Sequence, residues 1–168
     1  MYHLLVIFCR WLQNTSLAQS ILTSSWAFPY VQLIHFSGLS LWVGTNALLD
    51  LRLLGVGKKS QTAAQLSDAL FVWNWIGFGI AVLGGFLLFS TTATIYVRNP
   101  AFRIKLGFLI PLALLAHIVV QRKARAWGQR QDTPIVAKLA GLAELTLWLS
   151  VASAAVLIPY FFGPGDLQ

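Results

Sequence analysis

An all-α integral membrane protein is predicted, a four-helix bundle preceded by short amphipathic helices at an interface. Three observations predict it. The chain has 168 residues, of which 57% are hydrophobic and only 10% charged, against roughly 45–50% and about 25% in soluble domains. Four segments are long and apolar enough to approach the ~20 residues that a membrane helix needs. The twelve Lys and Arg, which with five Asp and Glu give a net charge of +7, sit between those segments rather than in a patch. Such placement reads as topology signals and contacts to anionic lipid, not as a nucleic-acid surface.

The first 26 residues read as an interfacial segment. Leu4–Phe8 is too short for a signal-peptide core, and no Lys or Arg precedes it. Leu4–Leu12 and Ser16–Thr23 read as short interfacial helices broken at Asn14 and Thr15, whose side chains compete with the backbone. The first span is expected over 27–51, with Pro29 in its opening turn. The second covers 69–97, a stretch without a charged residue. The third, 101–121, has sixteen residues between Lys105 and Arg122, so Arg103 and Lys105 must snorkel, and Pro111 predicts a kink. The fourth, 134–161, is expected to start with Thr133 as N-cap and Pro134 at the first helical position.

Orientation follows from the basic residues. Arg52, Lys58, Lys59, Arg122, Lys123, Arg125, Arg130 and Lys138 lie on one side, and Arg10, Arg98, Arg103 and Lys105 on the other. Eight against four predicts cytoplasmic connections and both termini outside, on the periplasmic face of a bacterial inner membrane. Trp26, Tyr30, Tyr96, Trp127, Tyr160 and Phe161 fall near the expected interfaces.

Cys9 is the lone cysteine, so no intrachain disulfide and no Cys-based metal site can form. Phosphate-binding loops, nucleophile elbows and zinc-protease motifs are missing from the sequence. An independent catalytic role is not expected. The chemistry-bearing residues are polar groups inside the spans, where they are costly. His35, Trp42, Asn46 and Asp50 are spaced 7, 4 and 4 apart and share one helical stripe. Its bland reading is that it faces the bundle interior, with Asp50 and Arg52 at the membrane boundary locking a helix end or a loop. His35 and His117, on separate helices, are the candidate ligands of a b-type haem. Counted from Pro29 and Lys105 their depths differ by about 9 Å; counted from Arg52 and Arg122, by roughly 18 Å. Asn74, Gly77, Ala81, Gly84 and Thr91 form a stripe suited to close helix packing. Glu144 needs a partner at its depth, and His117 is the one expected.

The runs IHFSGLSLWVGTNALLDLRLLG (34–55), WLQNTSLAQSILTSSWAFP (11–29) and NPAFRIKLG (99–107) resemble a family of small bacterial four-helix inner-membrane proteins of uncharacterised activity. The similarity covers most of the chain and implies four membrane helices with an exposed amphipathic N-terminus. Locally, His35, Gly38, Trp42 and Gly44 are similar to a His-x-x-Gly-x-x-x-Trp-x-Gly run of membrane cytochrome b domains and copper-resistance D proteins, which implies His35 as a haem ligand.

The function expected is a small membrane subunit of an electron-transfer or quinone-linked complex, with haem b as its cofactor. Its partners would be the lipid bilayer, other membrane subunits and a quinone, and no nucleic acid. The alternative is a non-catalytic structural or anchoring subunit of a larger membrane assembly. A third reading, a proton or ion conduit through His35, Asn46, Asp50 and Glu144, rests mostly on that one helix's stripe, with Glu144 from the fourth span.

Overall fold

The computed structural model describes residues 2–56, 61–127 and 133–161, and these are helical with no strand among them. Lys58, Lys59 and Arg130, three of the eight basic residues counted on the cytoplasmic side, lie outside the described residues. The elements are α1 (Tyr2–Gln13), α2 (Ser16–Thr23), α3 (Ala27–Leu53), α4 (Ala63–Thr91), α5 (Ala93–Arg98), α6 (Pro100–Ile104), a π-helical turn (Lys105–Leu109), α7 (Ile110–Trp127), α8 (Ile135–Leu157) and a closing 3-10 turn (Ile158–Phe161).

Three stretches are long and apolar enough to cross a membrane: Ala63–Thr91, Pro100–Ala124 and Ile135–Phe161. The 27-residue α3 is as long as these but is not among them. Gln32, His35, Asn46, Asp50 and Arg52 dilute its apolar character.

Capping chemistry sets the helix ends. The α1–α2 break falls at Asn14–Thr15, where Thr15 Oγ1 accepts from the Ala18 amide at 3.3 Å. At the end of α3, Gly55 adopts φ +89°. Its amide donates to the Arg52 carbonyl at 3.1 Å and the Val56 amide to that of Leu51 at 2.9 Å, the paired bonds of a Schellman cap. Helix α4 begins six residues before the expected 69. Thr62 and Gln65 form a reciprocal capping box there, with the Gln65 amide 3.2 Å from Thr62 Oγ1 and the Thr62 amide 2.9 Å from Gln65 Oε1. It also stops short of the expected 97. The hydroxyls of Ser90 and Thr91 bond back to the carbonyls of Leu87 and Leu88 and Thr92 leaves the helical region at φ −141°, ψ 40°, so the chain restarts as α5.

The third apolar stretch opens on Asn99, which accepts from the Phe102 amide at 3.2 Å with Pro100 at the first turn. The distortion expected at Pro111 takes the form of the π-helical turn just before it. A proline ring displaces the carbonyl four residues back, and the Ile110 amide reaches instead to Lys105, five back. At the start of α8 the expectation is off by one. Pro134 occupies the cap position, and Thr133 Oγ1 donates to the Leu53 carbonyl at 2.8 Å. Thr133 therefore satisfies the end of α3 rather than the beginning of α8.

Helix α3 packs against α4 and α8, and α7 packs against the same two helices. The contact of α3 with α4 is a backbone contact. A Cβ built on Gly38 would stand 2.5 Å from the Ala81 nitrogen, one on Gly77 would stand 2.7 Å from the Trp42 nitrogen, and one on Gly84 would stand 2.9 Å from the His35 Cα. Only glycine permits so close an approach. At one end of the molecule Leu49, Leu53, Ala63, Val120, Ala124 and Ala137 form a core cluster. At the other, Asn99 Nδ2 donates to the Ile158 carbonyl at 2.8 Å. Helices α3 and α7 therefore run one way, and α4 and α8 the other. Helix α1 lies across the far end of α4 and α5, with Cys9 and Leu12 buried against Ala93 and Val97 and Gln13 Oε1 accepting from Thr94 Oγ1 at 2.9 Å. Its remaining apolar side chains, among them Leu4, Phe8 and Trp11, are exposed.

Candidate functional site: a buried His–Glu centre

The interior between α3, α4, α7 and α8 is polar at mid-length. Trp42 projects from α3 with its ring centroid 4.7 Å from His117, and 5.5 Å from each of Trp75 and Trp148. These rings pack over the buried groups beneath them. His117, from α7, is 1% exposed, as is Glu144 from α8. Nδ1 of His117 stands 2.6 Å from Oε1 of Glu144, the pairing expected from depth. Trp148 Nε1 donates to the same Oε1 at 3.3 Å.

On the opposite edge of the imidazole, Nε2 lies 3.0 Å from Asn74 Oδ1. Asn74, from α4, is the hub of the network and is 2% exposed. Its Nδ2 donates to Thr45 Oγ1 at 2.8 Å and to Asn46 Oδ1, both on α3. Its Oδ1 also accepts from Gln121 Nε2 at 3.3 Å, and Gln121 Oε1 accepts from Trp75 Nε1 at 3.2 Å. Residues from all four helices are thus joined through one amide and one imidazole. Sequence reading placed Asn74 in the small-residue stripe and did not single out Thr45, Trp75 or Gln121. The available signal was that an amide in a charge-free span must find partners.

Asp50 is fully buried, and its carboxyl faces that of Glu144 rather than Arg52. Asp50 and Arg52 do not pair with each other, and of the two it is Arg52 that locks the helix end and the loop after it. Arg52 Nε donates instead to the Gln61 carbonyl at 2.9 Å, tying α3 to the start of α4. The physical reason is helical phase: residues two apart point to nearly opposite faces. Gly141, one turn before Glu144, admits this approach, since a Cβ there would lie 3.1 Å from the Asp50 carbonyl oxygen. Both Asp50 oxygens, Glu144 Oε2, Asn46 Nδ2 and Trp42 Nε1 are buried without a hydrogen-bond partner.

His35 lies elsewhere. Its ring is half-buried over Gly84 and Gly85, and its Nδ1 donates to the Ala81 carbonyl at 2.7 Å, because a carbonyl can only accept. Ala81 and Asn74, the α4 anchors of the two histidines, are seven residues apart, about 10 Å along the helix. His117 has both ring nitrogens engaged, by Glu144 and Asn74. A haem ligated by His35 and His117 together does not fit this arrangement. Sequence spacing could not decide this, because each depth estimate depended on where its helix began. Of the polar residues singled out, the structure brings together Asn46, Asp50, His117 and Glu144, and leaves His35 apart.

No protein-family model, no curated protein and no solved structure matches this chain.

Proposed function

We propose that the chain is a multi-pass inner-membrane protein of a bacterium, in which α3 is the fourth span of a helical bundle and both termini face the periplasm. In this reading it serves as a small subunit of an electron-transfer or quinone-linked complex, and its own contribution is to hold protons next to the redox chemistry of its neighbours. The observation that supports it best is the His117–Glu144 contact, sealed between helices and continuous with Asn74. Ionisable groups kept inside membrane spans at such cost commonly serve proton relays and substrate paths. A b-type haem in this assembly would draw one axial ligand from this chain, His35, whose Nε2 is the ring nitrogen left with a lone pair.

The test is a titration of the purified protein in lipid nanodiscs with a short-chain ubiquinone, read by tryptophan fluorescence. Trp42, Trp75 and Trp148 surround the centre, so a quinone bound near it quenches them. Saturable quenching that weakens in Glu144→Gln supports the reading. Quenching that grows linearly with quinone and is identical in the variant overturns it. That second outcome favours a structural or anchoring subunit, a role supported by the backbone contact of α3 with α4 at Gly38, Gly77 and Gly84.

A further inference from the structure

The polarity of the network allows its protons to be counted. Trp75 Nε1 can only donate, so the Gln121 atom facing it is Oε1, and the amide nitrogen of Gln121 is left to donate to Asn74. On the other side the Trp42 carbonyl, 3.4 Å from the Asn74 amide nitrogen, can only accept. Thr45 Oγ1 gives its hydrogen to the Leu41 carbonyl at 2.8 Å and so accepts from Asn74. Both constraints orient Asn74 with Oδ1 toward His117. An amide oxygen cannot donate, so Nε2 of His117 carries a hydrogen.

Two contacts remain. The 2.6 Å contact of Nδ1 with Glu144 Oε1 needs one proton, since a bare ring nitrogen and a bare carboxylate oxygen would repel. Asp50 and Glu144 need a second: Gly141 brings the Asp50 backbone against α8 one turn before Glu144, and both Asp50 oxygens and Glu144 Oε2 are buried there with no donor. Without these protons the three groups carry −1, −1 and 0; with two protons the sum is zero. Neutrality is what a site enclosed in lipid-spanning helices requires.

We propose that Asp50, Glu144 and His117 form one proton-binding site that holds two mobile protons among three groups, is neutral at rest, and gains or loses a proton as a unit. The proposal rests on the membrane-spanning reading above but not on any quinone. When one proton leaves, a single negative charge spreads over Asp50 and Glu144. Trp42 Nε1 and Asn46 Nδ2 are buried, unpartnered donors on the α3 stripe that bears Asp50. On the same four helices the neighbouring ionisable residues are Asp68, Arg52, Lys138 and Arg122. Helix α4 presents Asn74 there, and its one charged residue, Asp68, lies six positions, about 9 Å, nearer the helix start. On α3, Arg52 is turned to Gln61. Lys138 of α8 is six residues before Glu144, and Arg122 of α7 five after His117.

The test is infrared spectroscopy of the protein in nanodiscs at neutral pH, with histidine 15N NMR as the second measurement. A carboxylic-acid C=O band is expected that shifts in D2O, and Asp50→Asn should remove or displace it. The nitrogen spectrum of wild-type protein should show His117 protonated at Nε2, with Nδ1 in a strong hydrogen bond. Absence of a protonated carboxyl in the wild type overturns the proposal. So does a His117 ring whose Nε2 is bare, a result that holds even if the Asp50 variant fails to fold. Quinone binding plays no part in either readout, so failure here is separate from failure of the quinone-linked reading.

Discussion

The imidazole of His117 and the carboxyl of Glu144 meet at 2.6 Å across the α7–α8 interface, each side chain 1% exposed. The residues are 27 apart in the chain, and neither has solvent to fall back on. Their pairing is therefore both the centre of the polar network and its most vulnerable point.

Truncating either residue removes the 2.6 Å partner of the other inside the core. His117→Ala and Glu144→Ala are each expected to lower stability by about 1–3 kcal/mol, the range for a buried neutral group left unpaired, and by more where a charge is left. The double variant should cost clearly less than the sum. Thermal unfolding of the three variants in one detergent completes the cycle, and strict additivity would mean the two side chains do not interact.

The glycine contact between α3 and α4 predicts a contrast on one helix. Gly77→Ala forces a Cβ to within 2.7 Å of the Trp42 backbone nitrogen, so the helices must separate, at a cost of about 1–3 kcal/mol. Gly79→Ala meets nothing within 4 Å and should be neutral or slightly stabilising, since alanine is the better helix former. Melting temperatures measured side by side decide it; equal losses would place the helices farther apart than described.

Cys9 is 1% exposed beneath α1, and burial pushes its thiol above the ordinary range. Because the thiolate is the reacting form, a maleimide should label the folded protein slowly at neutral pH. In denaturing detergent labelling should accelerate at least tenfold. Fast labelling of folded protein would show that α1 is not docked on α4 and α5.

The proposed orientation has its own test. A reporter fused after Gln168 should report the periplasm, because the basic residues divide eight to four between the two sides. A cytoplasmic signal would invert the assignment of every helix end.

The helical class was legible in the sequence because it depends on composition and local chemistry. Apolar runs of about 20 residues are helix-length, and a helix satisfies its own backbone once water is excluded; the Asn14–Thr15 break is a local competition for backbone hydrogen bonds. Thr62 and Gln65 carried an equally local signal, yet it was outweighed by the charge at Asp68, which drew the expected start of α4 inward. The Glu144–His117 pairing followed from depth along two helices, and depth is a one-dimensional quantity. What the tertiary structure decided was rotation and approach. Whether Asp50 turns to Arg52 or to Glu144 depends on helical phase together with the space left by Gly141. Asn74 became the hub because Gly77 lets α3 and α4 touch, which brings Thr45 and Asn46 within reach of its amide. The separation of His35 from His117 was settled by where α3 and α7 slide against α4, a register set by the packing of glycines against backbone. A linear spacing cannot carry that information, since it records how far along a helix a residue lies and not which neighbour its side chain meets.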